Sequence, residues 1–172
     1  MTFAPTARRL DPLAWLGWPF VLCLIATVLL AAPIRIFGLQ LPEPVFAMAV
    51  AFAWAVIRPS LIAPFLLLVF GLFLDLFWGG PAGLWALSLL AAYAMVLAVR
   101  STLTGRGMAV LWIWYAAATG VAVGVGVLIT FTRTGELPDP LSLFWQFLAT
   151  VLLYPFAHRL IERFEDADVR FR

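Results

Sequence analysis

The sequence predicts an all-α integral membrane protein of about six transmembrane helices, and three observations carry that prediction. Its 172 residues are 65% hydrophobic and only 12% charged, with a mean hydropathy of +1.04; soluble domains run at about 45–50% apolar and about 25% charged. The apolar stretches are continuous, unlike the roughly 10-residue alternating segments of a membrane barrel. Each stretch approaches the ~20 residues a helix needs to cross a bilayer and is closed by turn-forming residues. The chain therefore reads as a single polytopic domain, 1–172, with no mixed-composition stretch long enough for a separate soluble domain.

The first expected span is 18–38. Arg8 and Arg9 before an apolar run resemble a secretory signal, but the run continues past Leu30 and AAP at 31–33 is a weak cleavage site. An uncleaved span is the better reading. After PEP at 42–44 comes a short second span, 44–57, which either crosses in a thin or tilted region or is re-entrant. RPS at 58–60 separates it from the third, 61–77. WGGP at 78–81 leads to the fourth, 82–99, and TGRG at 104–107 to the fifth, 108–131. RTGELPDP at 133–140 precedes the sixth, 141–161, and 162–172 is a short charged tail. Leu160, Ile161 and Phe164 make the stretch from His158 onward amphipathic, suited to a solvated helix end or to a membrane surface.

Orientation follows from the arginines, which supply every basic residue. With the N-terminus inside, Arg8, Arg9, Arg58, Arg100, Arg106, Arg159, Arg163, Arg170 and Arg172 are cytoplasmic, and only Arg35 and Arg133 lie outside. That asymmetry places both termini in the cytoplasm. Scattered arginines form no nucleic-acid stripe. The lone Cys23 rules out an internal disulfide and reads as a small buried hydrophobe.

Enzymatic chemistry finds little support. The single histidine, His158, stands at the cytoplasmic end of the last span; there is no H-E-x-x-H, no cysteine pair and no G-x-S-x-G. Without lysine a P-loop is impossible. No cofactor or metal is expected. A carrier would show several ionisable groups at membrane depth. Here only Asp75 qualifies, because Arg35, Arg58 and Arg100 lie near span ends where they can snorkel.

Asp75 sits in GLFLDLFWGGPAGLWALSLL, in register with Gly71, Gly79 and Gly83. Gly79-Gly80-Pro81 is a turn signature, and Pro81 suits the first turn of a new helix. The Asp75 carboxylate is thus expected to bond backbone N–H groups at the start of the following span, clasping two helices. Gly71 and Gly83 are expected to let the backbones approach closely. A second small-residue row, Ala116, Gly120 and Gly124, marks a helix-packing face, either internal or between copies in a homo-oligomer.

These residues resemble the MreD family of rod-shape membrane proteins. The likeness is carried by Pro64, by Gly71 through Leu76, and by Gly79, Pro81, Gly83, Ala86 and Leu87, which fit a G-x-x-x-D-[LI]-x-x-G-x-x-x-G-x-x-A-L pattern. Specific support covers about residues 58–92; elsewhere the likeness is one of length and hydropathy. Trp78 and Gly80 stand beside the pattern. The resemblance implies a non-enzymatic role in the bacterial inner membrane, binding MreC. Through MreC it implies a complex with MreB, RodA and its transpeptidase that directs lateral peptidoglycan synthesis. It also implies a fold like the substrate-binding membrane subunits of ECF transporters. It transfers no catalytic residue, only an interaction motif of Gly71, Asp75, Gly79 and Gly83. The alternative reading is a substrate-binding subunit of an ECF-type vitamin or metal importer.

Overall fold

The computed structural model describes residues 12–30, 35–36, 39–40, 44–57, 60–103 and 105–169. The fold is all-helical: α1 Pro12–Leu30, α2 Phe46–Ile57, α3 Ile62–Trp78, α4 Leu84–Leu103, α5 Met108–Thr134, α6 Pro140–Val151 and α7 Tyr154–Val169. The one extended feature among the described residues is a two-residue antiparallel ladder, Arg35–Ile36 (β1) against Leu39–Gln40 (β2). The expected first span therefore does not run as one helix to 38: the described helix covers Pro12–Leu30, and Arg35 belongs to the ladder. Arg8, Arg9, Arg58, the 31–33 cleavage candidate, Arg170 and Arg172 lie outside the described residues.

Among the described residues, three segments are long and apolar enough to cross a bilayer: Leu84–Leu103, Met108–Thr134 and Pro140–Glu162. Three shorter apolar helices, Leu16–Leu29, Phe46–Ile57 and Ile62–Trp78, accompany them. The surface is apolar. Leu76 is 85% exposed and Phe65 71%, and Trp18, Ile25, Val69, Ile113 and Leu128 also face outward. Soluble monomers rarely carry apolar surface on this scale, whereas lipid tails accept it.

At the centre stands α2, FAMAVAFAWAVI, with every residue from Ala47 to Val56 buried. It packs against α1, α3, α4, α5 and α7. Alanines at 47, 49, 51, 53 and 55 keep it slim enough for those neighbours to close in. Twelve residues span about 18 Å, short of a hydrocarbon core about 30 Å thick. A helix ending inside a bilayer needs protein partners for its terminal backbone groups, and both ends of α2 have them. Val45 N–H donates to Thr150 Oγ1 at 3.2 Å. At the other end, Arg100 donates from Nε to Val56 O and from an Nη to Ile57 O, both at 3.0 Å. Arg100 thus acts as a C-terminal cap on a neighbouring helix, beyond the snorkelling role its sequence position suggested. The short second segment is the enclosed axis of the bundle.

The sixth expected span, 141–161, is not one continuous helix. It breaks at Leu152–Leu153 into α6 and α7, because Pro155 has no N–H for the carbonyl of Val151. Trp112 fills that vacancy, donating its indole N–H to Val151 O at 3.3 Å. Tyr115 likewise donates to Thr150 O (3.1 Å) and Tyr154 to Met108 O (3.1 Å), pinning the break to α5. Trp112→Phe removes one such bond from a half-exposed ring and is expected to lower stability by about 1 kcal/mol. Thermal unfolding of the purified protein checks it.

Candidate functional site

The site is built from the end of α3, the start of α4 and the turn between them. Helix α3 stops at Trp78 because Gly79 takes the left-handed conformation, φ +64°, that glycine adopts without strain. The N–H groups of Gly79 and Gly80 return to the main-chain carbonyl of Asp75. Leu84 N–H then bonds Pro81 O at 3.1 Å, and Leu87 N–H bonds Gly83 O at 2.9 Å, opening α4. Pro81 consequently lies before α4, in the turn, and not in its first turn as the sequence suggested.

The residue flanking the start of α4 is Gly83, at φ +93°. An N-cap side chain normally accepts from the second or third helical N–H, and glycine has none. Asp75 supplies it from the preceding helix. Its Oδ2 accepts Gly83 N–H at 2.8 Å and its Oδ1 accepts Trp85 N–H at 2.7 Å. Asp75 as a residue is 4% exposed, and both its carboxylate oxygens are engaged at the positive end of the α4 dipole. One residue therefore ends α3 with its carbonyl and starts α4 with its carboxylate.

Gly71, one turn earlier on the same face, makes this approach possible. A Cβ there would run into the backbone of Ala86 and Trp85. Gly83 does not serve that purpose: a Cβ on it would meet only Leu87 Cδ1 at 3.9 Å, and its positive φ is what favours glycine. Trp78 and Trp85, on either side of the turn, meet edge to face with ring centroids 5.2 Å apart.

The row Ala116, Gly120 and Gly124 does not form an internal packing face among the described residues. Gly120 and Gly124 are exposed, and a Cβ on Gly124 would meet nothing within 4 Å. The buried face of α5 is Leu111, Tyr115, Ala118, Thr119 and Ala122. Small residues at i, i+4 permit close approach but do not attract it, and the helices packed on α5 cover the face that carries Tyr115, Ala118 and Ala122 instead.

A feature that sequence reasoning missed lies beside the clasp. Helices α4 and α6 both rest on α5, and a cleft runs between them. Its inner chamber, about 210 Å³, is lined by Leu84, Ser88, Val123, Gly126 and Gln146 among others. Its outer chamber, about 450 Å³, reaches Trp78, Trp85, Asp139 and Ser142. Asp139 caps α6, accepting from the N–H and hydroxyl of Ser142 at 3.0 and 2.8 Å. Those bonds, the hydroxyl's first, hold its carboxyl below its ordinary value. The tryptophans and the serine stand at ordinary span positions, so no local pattern announces the cleft.

His158 sits a turn beyond Tyr154, with its Nε2 3.1 Å from Glu162 Oε1. No group of three or more His, Cys, Asp or Glu side chains is positioned to hold a metal among the described residues. The arrangement around Asp75 can join helices and orient the Trp78–Trp85 pair; its carboxylate has no free oxygen turned to a substrate. No family model, no curated protein and no solved structure matches this chain.

Proposed function

We propose that this chain is a non-enzymatic assembly component of the bacterial cell-shape machinery, of the MreD type, spanning the inner membrane and docking MreC. The observation that supports this reading is the full engagement of Asp75. The single acid expected at membrane depth gives both oxygens to backbone N–H groups, a scaffolding role that a proton carrier's acid would not fill. Six crossings are inferred by adding the three shorter apolar helices to the three long segments. The arginine imbalance favours cytoplasmic termini. In that topology the Asp75 turn and the Trp78–Trp85 pair face outward, on the side where MreC would present its extracytoplasmic part. The outer face of α3, with Phe65, Val69, Leu72 and Leu76, is open beside it for a partner helix.

Asp75→Asn nearly preserves shape but sets an amide nitrogen against one of the two N–H donors. It is expected to lower stability by about 1–3 kcal/mol and to weaken co-purification with MreC. Unchanged co-purification, protein level and cell shape in that variant would sink the proposal. Depletion in the native cell should produce rounding and widening. Normal shape with a vitamin requirement would favour the importer reading instead, to which the α4–α6 cleft lends some support; that reading requires tight binding of a water-soluble ligand and an energising ATPase partner.

A further inference from the structure

We propose that the cleft between α4 and α6 binds an uncharged acyl ester of the glyceride type, its chain in the inner chamber and its ester oxygens at the level of Ser88 and the Trp78 indole. This inference stands on the cleft alone and does not depend on the cell-shape reading.

Ser88 carries the argument. It is fully buried, it lines the inner chamber, and its hydroxyl has no hydrogen-bond partner among the described residues. Serines and threonines inside helices usually satisfy themselves on the carbonyl one turn back. Thr119, Thr130 and Thr150 do so here, on Tyr115, Gly126 and Gln146. Ser88 makes no such bond, and its Oγ lies beside Gly126 on the chamber wall instead. A buried hydroxyl left unpaired is unfavourable by more than a typical hydrogen bond gains, so the site favours an occupant that completes it.

A second orphan points the same way. The indole N–H of Trp78, which lines the outer chamber, is also buried and unpartnered. An indole only donates, so its complement is an acceptor oxygen. Beyond these groups the inner lining is mostly apolar, with Leu84, Val123, Val127 and Leu143; its other polar side chains are Gln146 and Thr130, whose hydroxyl already donates to Gly126 O. The occupant is thus an apolar chain with acceptors at one end. Its charge follows from the rest of the lining. Neither Arg nor His lines either chamber, and the one charged group, Asp139, is an anion. An anionic headgroup would be repelled, and no cation stands ready to offset it.

Gly126 provides the means of closing the cleft. A Cβ there would lie 3.6 Å from Ser88 Oγ and 3.7 Å from Leu84 Cδ2, ordinary contact distances, so a larger side chain grows into the chamber. The test is native mass spectrometry of the full chain in a zwitterionic detergent, titrated with 1-monoolein or with dioleoyl phosphatidylglycerol. Monoolein should bind first and saturate one site, at least about tenfold more tightly than the anionic lipid. Gly126→Leu should weaken monoolein by about tenfold or more, and Ser88→Ala by about fivefold, with unchanged helical circular dichroism. Should the leucine variant not fold, Ser88→Ala decides alone. Equal monoolein binding by Ser88→Ala and wild type, or equal or tighter binding of phosphatidylglycerol, would overturn the proposal.

Discussion

Replacing Gly71 with valine is expected to abolish recovery of folded, monodisperse protein. A Cβ at 71 meets the main chain of Ala86 and Trp85, and main-chain atoms cannot rotate aside as a flexible side chain would. Relief requires α3 and α4 to separate. Separation in turn draws the Asp75 carboxylate away from Gly83 and Trp85 N–H, which it holds at 2.8 and 2.7 Å. Overpacking alone costs about 1–3 kcal/mol, and charge-assisted hydrogen bonds are worth about 1.5–3 kcal/mol each. The sum is a large part of the about 5–15 kcal/mol that holds a domain folded. Gly126→Ala is the matched control, since its Cβ finds only ordinary contacts and alanine favours a helix interior by about 1 kcal/mol over glycine. Gel filtration in detergent and thermal unfolding distinguish the two. A Gly71→Val protein that elutes and melts like wild type would show that the α3 and α4 backbones do not meet at Gly71 and Ala86.

The difference between Gly71 and Gly83 explains how far the site was legible in the sequence. Asp75 stood out because a single acid in an apolar run must find partners, and Gly79-Gly80-Pro81 directly after it left the next helix start as the nearest source of N–H groups. Both facts are local. The reason for each glycine was only partly local. Spacing marked Gly71 and Gly83 alike, yet one admits a neighbouring backbone and the other admits a positive φ. The Ala116, Gly120 and Gly124 row is left outside the buried face of α5 for a related reason: small-residue spacing reports what a helix could receive, and other helices decide what arrives. Hydropathy has the same blindness. It marks α2 as apolar but cannot tell a helix wrapped in protein from one wrapped in lipid, because both environments are equally apolar. Pro155 was readable as a helix breaker; the smooth hydropathy of 141–161 masked it.

Arg100 shows what distance along the chain conceals, and it carries the second large expected effect. Its position near the end of α4 suggested only a side chain reaching for the membrane surface. In the fold it spans to residues 43 and 44 positions earlier and donates to the last carbonyls of α2. Those carbonyls end a helix buried on all sides, where little water can replace the lost donor. A cation at a helix C-terminus also faces the negative end of the dipole, a favourable term of up to about 2 kcal/mol in partly buried geometry. Arg100→Met keeps much of the stem and removes both donors and the charge. It is expected to destabilise the protein by about 3 kcal/mol, the charge-assisted bonds being the larger share. Arg100→Lys keeps the charge but replaces the planar fork with a single ammonium, so it should fall between wild type and methionine. Thermal unfolding of the three proteins in one detergent tests the order. If methionine and lysine melt alike, the charge contributes nothing and the fork geometry is the whole effect. If all three melt alike, α2 does not rely on this cap. The predicted order requires both, because the α2 terminus presents two carbonyls in the geometry of a guanidinium and a dipole that attracts its charge.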